Sequence, residues 1–278
     1  MSFCPVMTSN LLRASVLLAC ILSRMAVAAP PAGAESPTMP KLIRFADKDG
    51  MARLDRSQHK VDFFQLVNQF ESQENRGYCG PATAVIVLNT LRVNNPRAAK
   101  PKDRSLFPAE FRSRLPPGWD PDFNRYTQGT FFNDKSEPVK TRDQFFGKPK
   151  APGAKPSPGI ELRELHGVLL NHGLHSELRI ADDKLTDDII KRDLMQNLAT
   201  ADDYAVINYS RPVLGQPGGG HISPLGAYDL KSDSFLILDV NPNGQSWVWV
   251  PSDLLIRGMR TADVNENRGY LLIKEGAK

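Results

Sequence analysis

The apolar residues of this chain change period part-way along its length, and that change restricts the fold more than any single residue does. After Cys79-Gly80-Pro81, residues Ala84, Val85, Leu88 and Leu91 recur at helical spacing, and Pro81 suits a first helical turn. The spacing predicts a buried helix that begins at the cysteine. Helical spacing returns over Glu161 to Leu178 through Leu162, Leu165, Leu169 and Leu170, with Gly173 as its stop. Further on, short apolar runs separated by turn-forming residues read as strands: Ala205 to Tyr209, His221 to Tyr228, Ser234 to Val240, Ser246 to Val250 and Gly269 to Ile273. One helix, Asp253 to Met259, is inserted among them. Helices first and antiparallel strands later, without βαβ alternation, predict an α+β fold. The stretch from Leu42 to Val67 is mixed, with a turn expected at Asp47-Lys48-Asp49-Gly50.

The chain has 278 residues, 41% hydrophobic and 24% charged, enough for one ordinary globular domain whose core needs neither disulfides nor a structural metal. Residues 1–29 read as a secretory signal: Arg13 precedes the apolar run Ala14 to Leu22, and Ala26 to Ala29 are small. Export to the periplasm is the expectation, followed by a flexible proline-rich leader over 30–40 and a catalytic domain over 41–278. An imperfect lipoprotein-type cysteine at Leu17-Leu18-Ala19-Cys20 leaves a lipid-anchored form open. No other stretch approaches the ~18 consecutive apolar residues of a membrane span. Residues 95–159 hold 11 of the 22 prolines and 13 basic against 7 acidic side chains, whereas the whole chain carries only +4. The basic pI therefore comes from one irregular, surface-draped segment, and no nucleic-acid module accompanies it.

Cys4 and Cys20 fall in the expected signal, so Cys79 is the one thiol left for the exported domain. A lone cysteine is either an inert small hydrophobe or a nucleophile. At its free pKa near 8.5 only a few per cent of a thiol is ionised at neutral pH, but a helix N-terminus and an adjacent imidazole lower that value. His221 is the best imidazole. A hairpin turning at Lys231-Ser232-Asp233 places His221 opposite about residue 241, within two positions of Asp239 across the ladder. Asp239 follows the apolar run Phe235 to Leu238, where a carboxylate needs a partner or must bond the backbone of the next turn. Gln73, six residues before Cys79, could join the Cys79 N–H in stabilising an oxyanion. His59 reads as a surface residue, and the spacings of His166, His172 and His175 do not suit a metal site.

These motifs resemble the phytochelatin synthase family, the glutathione γ-glutamylcysteinyltransferases of the papain-like superfamily, in its short prokaryotic form. The resemblance runs from Gln73 through Cys79-Gly80 and Val87-Leu88-Asn89 to Tyr126-Thr127-Gln128 and Phe131-Phe132. It continues through Gly219-Gly220-His221-Ile222-Ser223-Pro224-Leu225, Leu236 to Val240, Trp249-Val250-Pro251 and Arg268-Gly269-Tyr270. It implies a papain-like fold, a helical N-terminal part carrying the nucleophile packed on an antiparallel sheet that carries His and Asp. It also implies Cys79 as nucleophile, His221 as general base and acid, Asp239 as orienter and Gln73 in the oxyanion hole. Asp263 and Arg268 resemble the pair holding the charged γ-glutamyl end, beside Gly220, although their spacing is two residues shorter than the family pattern.

Implied with the family are glutathione as substrate, a γ-glutamylcysteinyl thioester on Cys79, no tightly bound cofactor, and heavy-metal ions such as Cd2+ as activators or as metal–glutathione thiolate substrates. A homodimer is compatible with the resemblance. After Asp239 the family usually presents basic residues near the acceptor, whereas this chain has Val240-Asn241-Pro242-Asn243-Gly244, and the Cys-rich second domain of longer members has no counterpart in the sequence. Release of γ-glutamylcysteine by water is therefore expected to exceed polymer synthesis. The competing readings are a papain-like peptidase of the bacteriocin-leader type and a non-catalytic protein that binds thiol peptides or metal thiolates.

Overall fold

The computed structural model describes residues 42–243 and 246–276, so the expected signal and leader lie outside the described residues. Strand β1 (Ile43–Arg44) is followed by helices α1 (Lys48–Arg56), α2 (Phe63–Asn68) and α3 (Cys79–Arg92). The proline-rich segment contributes the 3-10 turn Arg104–Leu106 and the short helices α4 (Ala109–Arg112) and α5 (Arg142–Phe145). Then come α6 (Leu162–Asn171), β2 (Leu174–Ile180), α7 (Asp187–Leu198), β3 (Asp203–Ser210), β4 (Gly220–Asp229), β5 (Ser234–Ile237), β6 (Val248–Pro251), α8 (Ser252–Met259) and β7 (Gly269–Glu275). The strands form one antiparallel sheet in the order β1-β6-β5-β4-β3-β7-β2. The fold is α+β.

Both faces of this sheet are covered. Val206, Ile222, Leu236, Trp249 and Leu271 pack with α3 and α6 on one face, through Ile86, Leu88, Leu165 and Leu169. On the other, Ile207, Tyr209, Phe235, Val250 and Tyr270 pack with α7 and α8 through Ile190, Leu194, Leu254 and Met259. With no face left to water, the strands read as near-continuous apolar runs rather than as polar/apolar alternation. Helix α3 is buried on nearly every side. Thr83, one turn beyond Cys79, donates its hydroxyl to the Ile222 carbonyl of β4 at 3.2 Å and so fixes the helix against the strand that carries His221.

The helical pattern expected over Glu161 to Leu178 divides in two. α6 ends at Asn171, and from Leu174 the chain pairs with β7, Leu174 opposite Glu275 through to Ile180 opposite Gly269. The residues expected to turn at Asp47–Gly50 instead open α1, where the Met51 N–H bonds the Asp47 carbonyl at 3.0 Å. α7 was not predicted, yet its signals are local: Thr186 caps the Ile189 N–H, Asp187 and Asp188 occupy the first turn, and Ile190, Leu194 and Leu198 are spaced four apart. The basic segment is not wholly surface-draped. Tyr126, Phe131 and Phe145 are buried, and the Asn89 side chain of α3 pairs both ways with the Tyr126 backbone at 2.9 Å. No helix among the described residues is long and apolar enough to cross a membrane.

Candidate active site

Cys79 is the first residue of α3 and is partly exposed, so its sulfur meets the positive end of the helix and an open cleft together. Burial works against the thiolate. Contact with the His221 imidazole and the N–H groups of Ile222 and Gly80 outweighs it and holds the thiol below its ordinary range. His221 enters at the start of β4, opposite Tyr209 of β3, whose ring stands edge-on to the imidazole with centroids 5.7 Å apart. The Tyr209 phenol is fully buried, its hydroxyl has no hydrogen-bond partner, and burial keeps it protonated. It forms a rigid wall for the imidazole.

The expected hairpin register is present: Leu225 lies opposite Ile237, and the Leu238 N–H continues to the Pro224 carbonyl at 3.0 Å. This brings Asp239 Oδ1 to 2.9 Å from His221 Nε2, leaving Nδ1 for the thiol. Burial opposes ionisation of His221, but Asp239 and Cys79 raise its pKa above the usual imidazole value. Burial likewise penalises the Asp239 carboxylate, yet His221, Arg211 and the Asn241 N–H keep it below the usual carboxylate value. The arrangement favours a thiolate facing an imidazolium, with a buried carboxylate behind it.

Arg211, in the connection between β3 and β4, was missed by the sequence reading. Its Nη2 lies 2.8 and 2.7 Å from the two Asp239 oxygens, and its Nη1 donates to Gln216 at 3.1 Å. Nothing local marks it, because its partner is 28 residues away.

Gln73 is buried, and its backbone N–H bonds the Val240 carbonyl at 2.8 Å, next to the carboxylate. Its side-chain amide donates to the Asn75 carbonyl at 2.7 Å while Oε1 has no partner. Asp263 and Arg268 meet across the tight α8–β7 connection at 3.0 Å, so the shorter spacing still brings the pair together. Asp263 also accepts from Asn208 Nδ2 of β3 at 2.8 Å. Gly220 lies close under the Arg268 guanidinium: a Cβ there would fall 2.8 Å from Arg268 Nη2, so that side chain would have to shift.

A cleft of about 420 Å³ opens over the thiol, lined by Cys79, His221, Gly220, Asp263 and Asn208 and rimmed by Arg76, with Gly159 and Ile160 as the opposing wall. Gly80 lets that wall approach, because a Cβ on it would fall 2.2 Å from Ile160 Cγ2. Arg76, Asn208 and the 158–160 wall were not legible as site residues; they belong to separate segments that meet only after folding. Among the described residues no group of three metal-ligating side chains comes together, and His172 is buried behind α6.

The family model described as Phytochelatin synthase matches residues 34–112 and 117–270, across both the Cys79 helix and the His221–Asp239 hairpin. The chain belongs to that family. It is 28% identical over 216 residues to glutathione gamma-glutamylcysteinyltransferase 3 of Lotus japonicus, covering 77% of this chain and 37% of the relative. It is 28% identical over 242 residues to glutathione gamma-glutamylcysteinyltransferase 2 of Arabidopsis thaliana, covering 84% and 45%. With the glutathione gamma-glutamylcysteinyltransferase of Schizosaccharomyces pombe it shares 24% over 229 residues, covering 82% and 47%. The chain thus spans less than half the length of these curated relatives.

Proposed function

We propose that this chain is a glutathione γ-glutamylcysteinyltransferase-like enzyme of papain-like fold that removes glycine from glutathione through a thioester on Cys79. The observation that carries the reading is the Cys79–His221–Asp239 line at the mouth of one cleft, in a chain whose relatives bear that enzyme name. Cys79 Sγ attacks the carbonyl carbon of the Cys–Gly bond. The His221 imidazolium gives its proton to the departing glycine amine, and the γ-glutamylcysteinyl thioester remains. Water, or the amine of a second glutathione, then attacks the thioester carbonyl while His221 takes up the incoming proton; the C–S bond breaks, Cys79 leaves as the thiolate, and γ-glutamylcysteine or the extended peptide is released.

Asp263 and Arg268 suit the ammonium and carboxylate of the γ-glutamyl end, Gly220 leaving them room, and Arg76 suits the glycine carboxylate. One amide hydrogen of Gln73 goes to Asn75; the second, with the Cys79 N–H, suits the developing oxyanion. No resident cofactor enters the scheme. Cd2+ enters as a glutathione thiolate presented to the same cleft, and export to the periplasm belongs to the same proposal.

Hydrolysis is the favoured fate of the thioester. The cleft beside Asp239 is lined by Phe45, Phe70, Ser72, Asn241, Asn243 and Trp247, and no basic side chain stands among its described lining residues to receive an acceptor's carboxylates. Chromatography with mass detection on glutathione, with and without Cd2+, should yield glycine and γ-glutamylcysteine in equal amounts. Abundant products with two or more γ-Glu-Cys units would reverse the preference for water. Glycine release undiminished in Cys79→Ala would remove Cys79 as the nucleophile, and no release from the unaltered chain would leave the binding-protein reading.

A further inference from the structure

At the far end of the nucleophile helix lies a cavity larger than the thiol cleft. α3 runs 14 residues from Cys79 to Arg92, which at 1.5 Å per residue puts the two ends roughly 20 Å apart. Arg92 borders a cavity of about 650 Å³, within the range of small-molecule sites. His172 lines it while being 95% buried, exposed to only 5%, and both of its ring nitrogens lack any hydrogen-bond partner. The ring stands edge-on to Tyr126, a second lining residue, at 5.6 Å. Burial, with Lys135 and Arg92 nearby, holds its pKa down to about 4, so at neutral pH it offers one N–H donor and one acceptor.

The charges around this ring are unequal. Arg92, Arg97, Lys100 and Lys135 line the cavity against Glu275 and Asp134, leaving two cations in excess. Glu275 is already engaged by Arg92 at 3.2 Å, and Arg97 makes no ion pair among the described residues. Ala98, Ala99, Pro101 and Phe132 supply an apolar wall. We propose that this cavity is a second ligand site, separate from the thiol cleft, for a small dicarboxylate whose two anionic ends meet the Arg97–Lys100 and Lys135 sides over the buried edge of His172. Two carboxylates match the excess of two cations, and a short carbon chain suits the apolar wall. A free organic diacid and a peptide with two carboxylates share this chemistry.

The site is tested by titration calorimetry on the full chain carrying Cys79→Ala, so that no peptide is turned over. Glutarate serves as the free diacid and S-methylglutathione as the peptide. The expected result is a saturable site for at least one probe, tighter than about 1 mM, weakened at least about tenfold by Arg97→Glu and by Lys135→Glu. Whichever probe binds more tightly names the source. Arg97 is exposed and Lys135 half-buried, so a melting curve checks that both variants keep the fold. No saturable binding of either probe overturns the proposal. So does binding that both folded variants leave unchanged, since that locates the probe elsewhere, the thiol cleft included. Neither result bears on glycine release, which is read separately in the unaltered chain.

Discussion

Asp239 is wholly buried between two partners, and the two do different work. His221 links it to the thiol, whereas Arg211 reaches neither Cys79 nor the cleft lining and acts on the carboxylate alone. Replacing Arg211 with Met leaves a buried carboxylate short of two charge-assisted bonds, a change that costs about 3–5 kcal/mol where one member of a buried pair is removed. Urea unfolding reads this loss; an unchanged midpoint would mean that His221 alone suffices to hold Asp239. The thiol responds to the other partner. Cys79 is lowered against its own burial chiefly by His221, so His221→Ala should move its ionisation upward, toward or beyond the free thiol value. The pH profile of iodoacetamide alkylation measures that midpoint, and an equal midpoint in the two proteins would place the activation in the helix N-terminus. Cys79, His221 and Asp239 were legible because the one thiol beyond residue 29 and one hairpin register point to each other. Arg211 was not, since an arginine beside a carboxylate far along the chain leaves no periodic or local trace.

The elements that carry the site are joined at close approaches, and these fix which glycines the chemistry needs. β4 begins at Gly220, directly against the Arg268 guanidinium that leads into β7. A methyl group there would push Arg268 from its place beside Asp263, loosening the partner of a carboxylate that lines the cleft without touching the thiol. Gly220→Ala should therefore raise KM for glutathione about tenfold, the scale of one hydrogen bond to a charged group, with kcat little changed. A loss confined to kcat would show that the strand start positions His221 rather than the substrate. α3, α6, α8 and the strands of the hairpin could be read from period and turn residues. β2 could not, because Leu174 to Leu178 continues a leucine-rich pattern across Gly173, and only pairing with β7 makes those residues a strand. α7 escaped although its cap, acidic first turn and apolar spacing were all present.

For the described domain, the central sheet is the common wall of two cores, and stability is shared between them. Leu165 of α6 packs on one face and Leu254 of α8 on the other, each almost fully buried. Leu165→Ala and Leu254→Ala should each cost about 2–5 kcal/mol. The double variant should lose close to the sum, because the residues share no contact across the sheet. Thermal melts of the three variants test this, and two separate transitions would divide the cores. By itself the sequence determined the α+β class, the helix that starts at Cys79, the hairpin that brings His221 and Asp239 together, and the family likeness. These rest on local period, turn chemistry and short motifs, which the chain carries in consecutive residues. Tertiary structure alone decided that both sheet faces are covered, that Arg211 holds Asp239, that Arg76, Asn208 and Ile160 shape the cleft, and that His172 faces a second cavity. Each depends on segments brought together from distant positions, where burial and charge pairing select neighbours that no local spacing encodes.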